Sequence, residues 1–279
     1  MPLQRGTRLV KKTIIAAALL ISASSQAINI FGTYVAPGGS IYGVTSQAAP
    51  TTWGGGSITS LFNVAANAWN ERSDDNWSLE IKYGWSNSIG SALAQYTGWW
   101  LPFGDGRHVQ ARILVNPNYA WFMDATPTDH SEFLRYDETV KNYGAGQMNV
   151  GRKYTQAQSA ASGRFDLLTT LTHEIGHALS IGVGPRWSNE IGNGFVDVTA
   201  PRQYVGAALP VDTIQGHLSD PTSVMWHGLA TGERKLLTEL DVEAGMQLSG
   251  FTVKPVPEPA TVAVIGVGLA FLARRRRSK

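Results

Sequence analysis

The segment His173-Glu174-Ile175-Gly176-His177 constrains this chain more than any other. Two histidines four residues apart share a side only on a helix, because four helical steps turn through about 400°. The flanks agree. Leu168, Leu171, Ile175 and Ala178 recur at helical spacing, which predicts an amphipathic helix over 165–179. On it both imidazoles project from one face and can grip one metal ion. Glu174, beside His173, reaches a water at the ion rather than the ion itself. Two histidines do not close a catalytic zinc site, which takes three protein ligands and keeps one position open. A third donor has to come from elsewhere in the fold. The remaining histidines are His108, His130, His217 and His227, and Glu190 is a further candidate.

The chain has no cysteine, so thiolate-bound zinc, iron–sulfur clusters, disulfides and a thiol nucleophile are all excluded. Its 279 residues, 43% hydrophobic and 16% charged, suit an ordinary globular domain with a sizeable core. The two ends read differently. Arg5, Arg8, Lys11 and Lys12 precede the apolar run Ile14–Ile21, and Ser25-Gln26-Ala27 closes it with small residues. That order predicts an export signal over 1–27. At the other end Pro257-Glu258-Pro259 leads into an apolar run from Ala260 to Ala273, and then into Arg274–Arg277 and Lys279. At about 21 Å as a helix, this run spans a bilayer only with thinning or snorkelling. Without the basic groups of these ends, residues 28–259 hold 14 basic against 21 acidic groups, a net of −7. An acidic body gives no electrostatic support to nucleic-acid binding.

The body shows no internal repeat. Apolar residues at 61, 62, 65, 68 and 69 predict a helix over 58–72. Strands are expected at 78–83 and 111–115, with a turn at Asn116-Pro117-Asn118. Gly- and Ser-rich stretches at 36–60 and 84–106 read as loops between short strands, and 183–216 as a long irregular excursion. Thr238-Glu239-Leu240-Asp241 fits a capping box opening a last helix that ends near Gly250. The expected architecture is α+β: a small twisted mixed sheet, an active-site helix and a C-terminal helix. Asp124, Asp129 and Glu132 read as a solvated acidic loop, and His108 and His130 as structural or exposed.

After the helix come Gly216-His217-Leu218-Ser219-Asp220-Pro221, then Ser223-Val224-Met225, then Leu237-Thr238-Glu239-Leu240-Asp241. Together with HExxH, this resembles the metzincin zinc peptidases, in particular a matrixin-like branch. The resemblance implies a metzincin-like fold over 28–254. It also implies His173, His177 and His217 as zinc ligands, Glu174 as general base and Met225 as the floor of the site. The chain departs from the compact pattern HExxHxxGxxH, which would place Gly at 180 and His at 183. Ser180 and Val183 stand there, and 39 residues separate His177 from His217. A long surface loop makes this possible, since closure entropy grows only logarithmically with length. His227, two residues beyond Met225, stands near a Tyr that helps hold the transition state in one metzincin branch. It is either an oxyanion donor or a polar loop residue. The C-terminal segment 255–279 resembles the PEP-CTERM sorting signal of Gram-negative bacteria. That implies processing by an exosortase-type enzyme, a transient membrane contact, and release to the cell surface or extracellular matrix.

The expected activity is that of a secreted zinc-dependent endopeptidase acting on protein or peptide substrates. Zn2+ would activate water and polarise the peptide carbonyl, with Glu174 taking the proton. An extended substrate is expected to pair with an exposed sheet edge. Phe195, Tyr204 and Leu209-Pro210, in the excursion, are first candidates for a specificity wall. The alternatives are a non-catalytic surface or matrix binding protein that keeps the fold, and a hydrolase acting on a non-protein substrate through the same site.

Overall fold

The computed structural model describes residues 28–101 and 104–254. The expected export signal and the C-terminal segment lie outside the described residues.

The chain opens with β1 (Asn29–Tyr34), a tiny hairpin of β2 (Ser40–Ile41) and β3 (Val44–Thr45), and β4 (Thr52–Trp53). Helix α1 (Ile58–Asn70) follows, capped by the Ser57 hydroxyl, which accepts the Ser60 N–H at 3.1 Å. Next come β5 (Ser78–Trp85), β6 (Ala94–Trp100) and β7 (His108–Val115). The main sheet has the order β1-β5-β7-β6. Its first three strands run parallel, and β6 is antiparallel at the edge. The stretch 84–106, expected as loop, thus contains the edge strand. Its sequence AQYTGWW hides the strand period because Gly98 replaces a side chain where none fits. A Cβ there would collide with the His108 ring and the Tyr96 hydroxyl.

Beyond β8 (Trp121–Phe122), β9 (Phe133–Asn142) and β10 (Gln147–Ala157) form a long antiparallel hairpin that sequence reading missed. Most of β9 is exposed, so it shows no apolar alternation to detect. Short β11 (Phe165–Asp166) pairs with β8 and delivers the chain into α2 (Leu167–Ala178). The helix therefore starts two residues later than expected. Asp166 ends the strand as N-cap, its carboxylate accepting the Thr169 N–H at 3.0 Å.

Helices α1 and α2 cover one face of the main sheet. Tyr83, Ile113 and Tyr96 lie in one cross-strand row. Phe62 of α1 stacks on Tyr83 at 4.3 Å, and His177 of α2 lies 6.1 Å from Tyr96. Trp69, fully buried, donates its indole N–H to the Thr172 carbonyl at 2.9 Å and ties the helices together. Each large apolar side chain buried here stabilises the fold by about 1.5–3 kcal/mol.

The excursion over 183–216 is more ordered than expected. It contains α3 (Gly184–Glu190), β12 (Phe195–Asp197) and β13 (Ala208–Asp212). With β14 (His217–Leu218) these strands make a small antiparallel sheet that returns the chain towards α2. Then β15 (Arg234–Leu236) adds to β10, and α4 (Glu239–Ser249) closes the body with the expected Thr238–Asp241 capping box and Gly250 at its end. Among the described residues no helix is long and apolar enough to cross a membrane.

Asp124 corrects the reading of 124–132 as a solvated loop. It is 1% exposed and pairs at 2.9 Å with Arg234, which is itself fully buried. Arg234 also reaches both oxygens of Asp166, at 2.8 and 3.1 Å. Two carboxylates against one guanidinium satisfy a charge that burial would otherwise make costly. The same arrangement fixes the cap of α2 to β15.

Candidate metal centre

Helix α2 carries His173 and His177 on its cleft side, and β14 brings His217 opposite them. Their side-chain nitrogens form a group with ligand atoms all within 4.8 Å of one another. Each ring is held by its Nδ1. His173 reaches the Val224 carbonyl at 2.8 Å, His177 the Ile181 carbonyl at 2.5 Å and His217 the Gln215 carbonyl at 2.6 Å. A carbonyl only accepts, so each Nδ1 carries the proton and each Nε2 presents a lone pair. His173 Nε2 and His217 Nε2 approach to 3.1 Å with no proton between them. Two facing lone pairs repel unless a cation lies beside them. Nitrogens about 2.1 Å from a tetrahedral zinc stand about 3.4 Å apart, close to the 3.1 Å of this pair, and three neutral imidazoles suit that ion. Burial, followed by the neighbouring imidazoles, holds His173 well below the usual histidine range. Burial brings His177 down to about 3 and also lowers His217. All three rings are therefore neutral at pH 7, the state a metal needs.

Two glycines make the detour to His217 possible. Ser180 turns the chain at φ 67°, the left-handed conformation for which the compact pattern uses Gly, and Gly182 follows at φ 78°. A Cβ on Gly182 would collide with the Gly216 carbonyl, so the two backbones touch only because both residues lack side chains. Glu190, the alternative ligand, ends α3 and does not belong to the group.

Met225, the residue expected as the floor of the site, is fully buried and packs against α2 at Gly176. Gly176 lets it in, since a Cβ at 176 would collide with the Met225 sulfur. The turn carrying Met225 is fastened by Asp241 of α4. This carboxylate accepts the Ser223 hydroxyl and, at 3.1 Å, the Met225 N–H, while its other oxygen takes the Thr238 N–H at 3.0 Å. Burial raises the Asp241 carboxyl despite these donors.

Glu174 is 6% exposed and faces the same cleft. Burial raises its carboxyl to about 8, and a hydrogen bond from the Tyr96 backbone N–H on β6 pulls the other way. A carboxyl tuned near neutrality is suited to take up and return a proton. The cleft has a volume of about 560 Å³. Its walls include Ala94 to Tyr96 of the edge strand, Thr169 and Thr170 of α2, and Trp226 to Leu229 after the Met225 turn.

His227 lines this cleft, 6.1 Å from the His217 ring, with Nδ1 4.0 Å from Asp212. The excursion residues expected as a specificity wall, Phe195, Tyr204, Leu209 and Pro210, do not border the cleft. Leu209 is fully buried, and Tyr204 donates to Glu239 at 2.7 Å. His108 is buried beneath Trp100, its Nδ1 3.3 Å from the Ala178 carbonyl, and His130 stands 3.2 Å from Arg234. Sequence reasoning missed Tyr96, whose contribution is a backbone N–H and leaves no trace in residue type.

Residues 255–277 match a family model described as the PEP-CTERM protein-sorting motif. The chain therefore ends in a sorting signal of the kind recognised by exosortase-type processing enzymes. Comparison with curated proteins and with solved structures returned no match.

Proposed function

We propose that this protein is an exported zinc-dependent endopeptidase of metzincin-like design, held for delivery to the cell surface or matrix by its C-terminal signal. One observation carries the reading: three Nε2 lone pairs converge, every Nδ1 being committed to a backbone carbonyl, beside a buried carboxylate in an open cleft. His173, His177 and His217 would hold Zn2+, which supplies an activated water and polarises the scissile carbonyl when bound. Glu174 takes the proton of the attacking water and returns it to the leaving amine. The Tyr96 N–H keeps its carboxylate aimed into the cleft. His227 lines the cleft, and its N–H would meet negative charge developing on the carbonyl oxygen. The free side of β6 offers backbone groups to an extended peptide.

The test compares wild type with Glu174→Gln, both zinc-loaded, on casein and on a peptide library. Wild type is expected to cleave, with the variant at least about a hundredfold slower at equal zinc content. Zinc-bound wild type as inactive as the variant would instead make the protein a non-catalytic binding module, or a hydrolase for another substrate.

A further inference from the structure

The cleft does not end at the metal ligands. A Cβ on Gly182 would lie 3.3 Å from the His177 ring, and Val183, the next residue, still lines the cleft. A Cβ on Gly184 would then lie 3.8 Å from the Trp100 ring. Val183, on the cleft lining, is thus followed at once by Gly184 beside Trp100, the last residue of the edge strand, which itself stands just outside that lining. Trp100 rests on His108 with ring centroids 5.8 Å apart, yet is 40% exposed, and Leu101 beyond it is 59% exposed. An indole anchored on one side and open on the other is preorganised to receive an apolar group.

The edge strand supplies the register. Tyr96 N–H bonds Glu174 and so marks the level of the chemistry. Trp100 comes four residues later, about 13 Å along the strand. A substrate paired antiparallel to β6 runs in the opposite direction. Its residues before the scissile bond then lie alongside the C-terminal half of β6.

We propose that Val183 and Trp100 form a subsite for an apolar or aromatic side chain three or four residues before the scissile bond. The inference rests on the peptidase reading and narrows its substrates to extended chains that reach this shelf. Ser- or Gly-rich flanks gain nothing there.

A randomised peptide library digested by the zinc-loaded protein and read by mass spectrometry tests it. Wild type should prefer Leu, Phe or Trp over Ser at the third or fourth position before the cut by about tenfold in kcat/KM. Trp100→Ala, checked for zinc content and melting temperature, should lose that preference and keep those next to the cut. Val183→Ser provides the same reading if Trp100→Ala fails to fold. Cleavage with no preference at those positions, or with one unchanged in a folded variant, overturns the subsite alone. Absence of any cleavage by wild type overturns the peptidase reading and the subsite with it.

Discussion

At the scale of single residues, the candidate metal centre depends on which atom each side chain commits to its neighbours. The three Nδ1 anchors turn three ordinary imidazoles into one donor set, and the third ring is the one that most needs testing. His217→Ala should weaken zinc binding by more than about tenfold in a chelator competition. Glu190→Ala, at the end of α3, should leave it unchanged, and the reverse ranking would unseat His217 as a ligand. Gly182→Ala should mimic His217→Ala without touching a ligand, because a methyl group there pushes Gly216, and His217 with it, off the helix. Zinc affinity retained by that variant would show that the close backbone contact is not what seats His217. HExxH pointed to two candidate ligands and a candidate base because their spacing is a property of one helix. The third ligand was legible only through resemblance, since nothing local links position 217 to position 173.

At the scale of elements, α2 is held at its N-terminal end by polar groups removed from water. Asp166 caps it and Arg234 grips the cap, with Asp124 completing the trio. Asp166→Asn should destabilise the protein by about 3–5 kcal/mol in urea unfolding, because it leaves a buried guanidinium with half its counter-charge. Replacing Arg234 by Met in the same variant should recover part of that loss, and no recovery would point to the cap alone. The amphipathic helices α1 and α2 and the capping box of α4 could be read in advance, because their signals are periodic or lie within four residues. Edge strand β6 and hairpin β9–β10 could not. One carries a glycine demanded by a distant histidine, and the other is stabilised by pairing rather than by an apolar face.

For the whole molecule, stability is expected to couple to pH and, through the proposed zinc, to metal. Burial raises the Glu243 carboxyl on α4 to about 7, with Arg202 opposing. The native state then holds a proton that the unfolded chain has released above about pH 4.5, so this group favours folding less as pH rises through about 7. Between pH 5 and 8 wild type should lose about 1–3 kcal/mol more stability than Glu243→Gln. Parallel pH profiles for the two proteins would remove Glu243 from the account. The proposed metal would act in the other direction. Zinc at a thousandfold its Kd should stabilise the body by about 4 kcal/mol, read as a melting temperature that falls on adding EDTA. No shift on chelation would leave the three histidines without an ion.

The sequence by itself determined the features that are local: the helix bearing His173, Glu174 and His177, the capping box at Thr238, and the sorting motif at the end. It also determined the net charge of the body and the absence of thiol chemistry. The tertiary structure alone decided which side chains meet. It placed His217 in the cluster and Glu190 outside it, buried Asp124 against Arg234, moved Tyr204 and Leu209 away from the cleft, and put the Tyr96 N–H on Glu174. The physical reason is range. Periodicity and capping act over one or two turns of chain, whereas coordination, ion pairing and close backbone contact depend on distances that exist only after the long excursion has folded back.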